Sequence, residues 1–334
     1  MATYEDKIQA LEAQSEERAQ QAAMATLEKA VAETVRSAEI VPFPQGGGAL
    51  DLASLNYQQI KLSFDADQGL LRADMRHPDR PCYTPLLLEE IADLQQRLAK
   101  AEGLIMVDRP MPVRYLVWGT ERPGAWNLGG DLELFTQLIR SRDREMLRAY
   151  AHRCIDVLYA NHTAMDLPIQ TVALIEGDTL GGGFEAMLSD DIVIASRDAQ
   201  FGLPEILFNM FPGMGAFSFL SRKLGTAKAE ELIYSGKLYT AEEMKELGLV
   251  DIVCEPGETE QALKTYLRRF DRRHSIRGVL REVRETCAPV TKEEMLKITD
   301  MWVDAAMNLT PMDLRKMEKL VAGQRKLADF QMAS

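Results

Sequence analysis

Hydrophobic positions along this chain switch between a period of two and a period near 3.6, and the switches mark its elements. Tyr57 to Phe64 and Gly69 to Arg76 read as paired strands around the turn Asp65-Ala66-Asp67-Gln68. Leu87, Ile91, Leu94 and Leu98 then recur at helical spacing behind Thr84-Pro85, a cap followed by a first-turn proline. Val113 to Trp118 is a strand, Leu132 to Asn161 is mostly helical, and Ile169 to Glu176 is an apolar strand. Ile192 to Ala195 and Gln200 to Gly202 are short strands. Beyond Gly213 the pattern turns helical. Thr240-Ala-Glu-Glu243 and Thr291-Lys-Glu-Glu294 fit capping boxes. Met295, Ile298, Trp302, Ala305 and Leu309 share a face, and Thr310-Pro311 starts a last helix carrying Leu314, Met317, Leu320 and Val321. Strands with crossover helices, then a helical tail, give an α/β fold.

The first forty residues differ. Residues 4–39 are rich in Glu, Gln and Ala, with Ile8, Leu11, Met24, Leu27, Val31 and Val35 at patchy helical spacing. The stretch between Leu11 and Met24 is too polar for a sustained heptad, so an exposed helical arm is expected rather than a coiled coil. Pro42, Pro44 and Gly46-Gly47-Gly48 form a linker. The division that follows is an arm and linker over 1–50, an alternating core over 51–254 whose first element starts near Leu55, and a helical C-terminal region over 255–334.

Composition narrows the function classes. The 334 residues are 46% hydrophobic, enough for one large domain or two smaller ones. A net charge of −12 argues against nucleic acid as a general partner, while leaving room for a local basic pocket. Cys82, Cys154, Cys254 and Cys287 are widely spaced without a C-x-x-C, which favours buried reduced thiols over zinc or a redox pair. His77, His152, His162 and His274 show no metal spacing, so no metal is expected. The N-terminus lacks the apolar core of a signal peptide, and no apolar run approaches the roughly 20 residues of a spanning helix. A soluble, cytoplasmic protein is the expectation, with no membrane partner. No G-x-S-x-G occurs, and no Lys-Ser/Thr follows the glycines, which removes the serine-hydrolase and P-loop readings.

The chemistry concentrates at Gly181-Gly182-Gly183-Phe184-Glu185 and Gly202-Leu203-Pro204-Glu205, which place two carboxylates twenty positions apart. A glycine turn opening a helix lets backbone N–H groups approach a ligand oxygen, and two glutamates could exchange protons with one substrate. Asn127-Leu128-Gly129-Gly130-Asp131 could supply a second N–H donor to the same oxygen. The plain alternatives stand beside these. The glycine triplet could be only a tight strand-to-helix turn, Gly129-Gly130-Asp131 a turn whose aspartate caps a helix, and either glutamate a residue without function. The triplet also fits G-x-G-x-x-A, the dinucleotide fingerprint, but it lies mid-chain and opens a short helix, which disfavours nicotinamide binding. Apolar neighbours (Phe184, Phe201, Leu203, Ile206) suggest burial that would raise both carboxyl pKa values. Phe208 to Phe219 is core packing or an acyl pocket.

At these residues the chain resembles the crotonase (enoyl-CoA hydratase/isomerase) superfamily, over roughly Tyr57 to Lys326. The motifs are Asn127-Leu-Gly-Gly-Asp131, Ala173 to Glu185, Gln200-Phe-Gly-Leu-Pro-Glu205, Phe211-Pro-Gly-Met-Gly215 and Leu247-Gly-Leu-Val-Asp251. The resemblance implies a spiral of ββα units with a C-terminal helical trimerisation region, and a trimer or hexamer. It implies an oxyanion hole from the N–H groups of Gly130 and Gly182, catalytic Glu185 and Glu205, and an acyl pocket at Leu128, Met214, Phe217 and Trp302. Within the superfamily the chain looks most like the diffusible signal factor synthases, on Gly181 to Ala186, Gly202 to Phe208, Phe211 to Ala216 and Met301 to Met307. Ordinary hydratases read Gly-Gly-Thr-Gln-Arg where this chain has Gly215-Ala-Phe-Ser-Phe219. The resemblance therefore implies an acyl-thioester dehydratase with thioesterase activity. Its substrate would ride on acyl carrier protein or CoA with no further cofactor, and a sensor-kinase receiver domain would be a possible partner. A catabolic enoyl-CoA hydratase and a non-catalytic crotonase-fold binding protein are the alternatives.

Overall fold

The computed structural model describes residues 48–122, 124–270 and 274–332. The arm expected over 4–39, and the linker as far as Gly47, lie outside them. The body begins earlier than Leu55, because Leu50 already donates to the Leu104 carbonyl at 2.8 Å. Strand β1 (Ile60–Asp65) and strand β2 (Leu70–Met75) form the expected hairpin, registered from Ile60↔Met75 to Asp65↔Leu70. Helix α1 (Pro85–Lys100) starts where Thr84 accepts from the Leu87 amide at 3.1 Å. Two short strands unseen in the sequence pattern, β3 (Leu104–Met106) and β4 (Pro110–Pro112), then pair antiparallel.

From here the chain advances in three similar steps. β5 (Tyr115–Thr120) leads to β6 (Gly124–Asn127) and helices α2 (Leu132–Arg140) and α3 (Arg144–His162). β7 (Gln170–Ile175) leads to β8 (Gly177–Leu180) and the six-residue α4 (Gly182–Met187). β9 (Ile192–Ser196) leads to β10 (Gln200–Gly202) and a 3-10 turn, Pro204–Phe208. The first strand of each pair enters a six-stranded sheet that ends on β12 (Ile252–Cys254), order β1-β2-β5-β7-β9-β12, and the second a four-stranded sheet that begins on β11 (Leu238–Thr240), order β11-β10-β8-β6. This is the expected spiral of ββα units. The remaining elements are α5 (Ala216–Leu224), α6 (Thr226–Ser235), β11 (Leu238–Thr240), α7 (Ala241–Glu246) and β12 (Ile252–Cys254). After them come α8 (Thr259–Phe270), α9 (His274–Cys287), α10 (Lys292–Met307) and α11 (Pro311–Met332).

Strand alternation divides the large sheet between two cores. Tyr115, Val117, Val172, Leu174, Ile192 and Ile194 pack with Leu263, Tyr266 and Leu267 of α8. Their neighbours Leu116, Trp118, Ala173, Ile175, Val193 and Ala195 face the main core. The run expected as mostly helical over 132–161 is two helices, because Arg142 takes a positive φ and Asp143 caps the second by accepting from the Met146 amide at 3.0 Å. Thr240 and Glu243 complete a capping box. At Thr291 only half forms, since the Glu294 carboxylate is taken by Ser218 at 2.6 Å and by Arg222 at 2.7 Å.

Asn161 at the end of α3 ties these layers together. Its Oδ1 accepts from Trp118 Nε1 at 2.8 Å, and its Nδ2 donates to Ser189 Oγ at 2.9 Å and to Asp190 Oδ1 at 3.1 Å. Asn161→Leu would leave buried partners unpaired, for an expected loss of about 2–4 kcal/mol. Urea unfolding checks this; a midpoint unchanged from the parent would show that the network contributes nothing to stability.

Candidate active site

Register in the small sheet decides which residues meet. β6 lies beside β8 with Asn127 opposite Thr179, and β8 beside β10 with Leu180 opposite Gly202. The segments leaving these strands (128–131, 181–185 and 203–205) therefore start side by side. They line one cavity of about 390 Å³ that contains Gly130, Gly182, Glu185 and Glu205. Four site residues inferred from sequence thus share one space.

The two glycine amides converge. A Cβ on Gly182 would stand 3.3 Å from the Gly130 nitrogen, and one on Gly129 would stand 2.7 Å from the Gly182 nitrogen. Neighbouring amides are engaged: Gly129 N–H donates to Asn127 Oδ1 at 2.8 Å, Asp131 N–H to Tyr150 Oη at 3.1 Å, and Gly181 N–H to the Gly202 carbonyl at 2.9 Å. No hydrogen bond among the described residues occupies the amides of Gly130 or Gly182. The Gly182 N–H also opens α4, where unpaired amides are expected. Two free donors beside one cavity suit an oxygen that gains negative charge. Asp131 does cap α2, accepting from the Leu134 amide at 3.2 Å, so the capping reading of this turn is met, and the cap leaves the Gly130 amide unoccupied. Tyr150 Oη holds the turn in place by also donating to the Tyr83 carbonyl.

The glutamates differ in their surroundings. Glu185 is 1% exposed, and its Oε1 accepts from the amides of Met214 at 2.7 Å and Ala216 at 3.0 Å. Burial pushes its pKa up to about 7, and the two amides hold it from going higher. Glu205 Oε2 is buried with no partner among the described residues. Burial first, and the Glu185 charge second, push Glu205 well above the carboxylate range. One negative charge is thus best placed on Glu185, with Glu205 neutral. Glu205 Oε1 lies where a Cβ on Gly181 would come within 2.9 Å.

Leu128, Met214 and Trp302 line the cavity as expected, and Phe217 does not. Phe217 is a half-buried residue packed against the core, and Phe219 beside it is buried 5.1 Å from the His162 ring. The apolar bulk at 215–219 therefore fills the interior, because α5 begins at Ala216 and carries these side chains away from the cavity. The sequence reading missed Phe135, Tyr150, Cys154, Asp178, Lys319 and Leu320 as lining residues. Asp178 was within reach, since it lies three residues before Gly181 and shares a strand face with Leu180. Burial raises its carboxyl pKa too. The Tyr150 contact depends on tertiary packing and left no local signal.

The enoyl-CoA hydratase/isomerase family model matches residues 115–309. Among solved structures, DspI of Pseudomonas aeruginosa is 25% identical, over 75% of this chain and 91% of that one, with a TM-score of 0.59. An enoyl-CoA hydratase from Bacillus halodurans is similar in fold at 20% identity over 79% of this chain and all of its own length (100%), TM-score 0.65. The human mitochondrial delta3-delta2-enoyl-CoA isomerase is similar in fold at 18% identity, 80% and 98% coverage, and TM-score 0.63.

Both carboxyls bind a proton more tightly folded than unfolded, where they titrate near 4.5. The folded state then holds the extra proton, so the pair's contribution to stability falls as pH rises from that value through about 7. Glu205→Gln should flatten this decline and leave the variant more stable than the parent at about pH 8. Thermal unfolding across pH measures it; parallel curves for variant and parent would contradict the shared-proton assignment.

Proposed function

The chain belongs to the enoyl-CoA hydratase/isomerase family, and from that premise we propose that it is an acyl-thioester dehydratase with thioester hydrolase activity. It converts a 3-hydroxyacyl thioester on a carrier protein or CoA to a free 2-unsaturated fatty acid of the diffusible-signal type. The observation that carries the reading is that Gly130, Gly182, Glu185 and Glu205 line one cavity, with both glycine amides unoccupied among the described residues. The predominantly apolar lining, with Leu128, Leu132, Phe135, Met214 and Trp302, suits an acyl chain. The motif resemblance to the signal synthases supports the finer assignment.

The thioester oxygen sits on the Gly130 and Gly182 amides, which stabilise the enolate-like charge formed at the α-carbon. Removing one such donor costs about 100- to 1,000-fold in rate. We assign Glu205, whose Oε1 lies beside Gly181, to the α-carbon, and Glu185 to the 3-position. In hydration neutral Glu205 gives the α-carbon its proton, and ionised Glu185 takes a proton from the water that adds at the 3-position. Dehydration runs these transfers backward, from the state in which Glu185 holds the proton. Glu205 takes the α-proton, and Glu185 returns its own to the departing hydroxyl. In hydrolysis Glu185 deprotonates water for attack on the carbonyl, the carbon–sulfur bond breaks, and the thiol leaves with a proton. A trimeric or hexameric assembly and a receiver-domain partner belong to the same proposal.

A second reading, a catabolic enoyl-CoA hydratase, is favoured by the surroundings of the two carboxyls: two amides on Glu185 favour its ionised form and an unpartnered buried oxygen on Glu205 favours its neutral form, the arrangement hydration uses. A binding protein without catalysis would have no use for two buried acids beside two free amides. Assays on 3-hydroxyacyl carrier-protein thioester and on crotonyl-CoA separate the readings. Free 2-unsaturated acid from the former supports the proposal, and turnover of crotonyl-CoA alone supports hydration. Glu185→Gln and Glu205→Gln should each lower kcat about 100- to 10,000-fold. Near-parent activity in both variants would end the assignment.

A further inference from the structure

A second concavity lies on the other side of the large sheet, between α8, α9 and the ends of β7 and β9. Gln170, Asp191, Phe270, Arg277, Arg281 and Arg284 are among its walls. The sequence shows how unusual the place is: seven arginines fall between positions 268 and 284, against Asp271 and Glu282, in a chain of net charge −12. Lining this groove are three guanidinium groups against the one carboxylate of Asp191.

The guanidinium groups are held differently. Arg281 is a strut; its Nη1 donates to the Ile169 carbonyl at 2.9 Å and to Asp191 Oδ2 at 3.0 Å, and its Nη2 to the Leu167 carbonyl at 3.0 Å. Arg277 instead lies over rings, 4.5 Å from the Phe270 centroid and 5.1 Å from that of Tyr266. Stacking fixes the guanidinium plane while leaving its in-plane N–H donors for another acceptor. Arg284 touches Asp191 only at 3.4 Å and is half exposed. Gln170 provides an independent sign. It is 3% exposed, and neither its Oε1 nor its Nε2 has a partner among the described residues. A buried amide in that state costs stability unless something completes its hydrogen bonds.

We propose that this groove is a binding site for a small oxyanion, a phosphate or carboxylate. The in-plane donors of Arg277, the loosely held guanidinium of Arg284 and the Gln170 amide would share its oxygens, with Arg281 and Asp191 fixing the geometry. Charge-assisted pairing of this kind is the arrangement arginine favours for planar or tetrahedral oxyanions. The site lies on the face of the large sheet opposite the main core, and none of its residues lines the acyl cavity.

Isothermal titration of the full chain with inorganic phosphate, and separately with acetate, tests the assignment. Saturable binding of either ion is expected, at least about tenfold weaker in Arg284→Gln and in Arg277→Gln. Turnover of acyl thioester should stay at the parent level in both. Gln170→Leu supplies a control independent of folding: it should bind the ion at least about tenfold more weakly while melting no lower than the parent. Binding of equal strength in parent and variants would mean an adventitious ion only and overturn the proposal. So would absence of binding, and Arg284→Gln changing the oligomeric state without ion binding would assign the groove to an acidic side chain of a second copy.

Discussion

The centre of this molecule depends on main chain approaching main chain more closely than any side chain would permit. A Cβ at Gly183 would lie 2.1 Å from the Asn127 carbonyl oxygen, and one at Gly129 would press on the Gly182 nitrogen. Gly181 adds a backbone conformation, φ 52° and ψ −127°, that only glycine reaches without strain. These contacts bring the ends of β6 and β8 together and set two unoccupied amides close to each other on one cavity. The spiral of strand pairs delivers the ends; the glycines let them touch.

The same compaction sets the electrostatics. Two carboxyls buried in an apolar cavity cannot both ionise cheaply, so the pair holds a proton near neutrality. Which member holds it follows from the main chain: Glu185 accepts two amide hydrogen bonds, whereas Glu205 has one oxygen without a partner. Stability is given up at the place where the chemistry needs a proton that moves easily. The apolar walls that raise the pKa values are also the walls proposed to receive an acyl chain, so in that proposal substrate binding and acid–base poise share one cause.

Much of this was legible in sequence because it is local. Thr84-Pro85, the period-2 hairpin and the glycine-to-glutamate segments are governed by neighbours within a few residues. The pairing of β6, β8, β10 and β11 was not read, since strands of three or four residues carry too little alternation, and their partners come from distant parts of the chain. Phe217 was misplaced for a related reason: apolar character says that a residue is buried, but not on which side of α5. The Glu294 carboxylate left its expected cap because Arg222, far away in sequence, competes for it. The motifs were enough to bring Gly130, Gly182, Glu185 and Glu205 to one cavity, while the wall of that cavity was read incompletely.

The most direct measurement is a crystal structure with an unreactive acyl-thioester analogue bound. The account predicts the thioester oxygen within about 3 Å of both the Gly130 and Gly182 nitrogens, and the carboxyl of Glu205 against the α-carbon. A carbonyl oxygen directed at solvent, or hydrogen-bonded to neither amide, would contradict it.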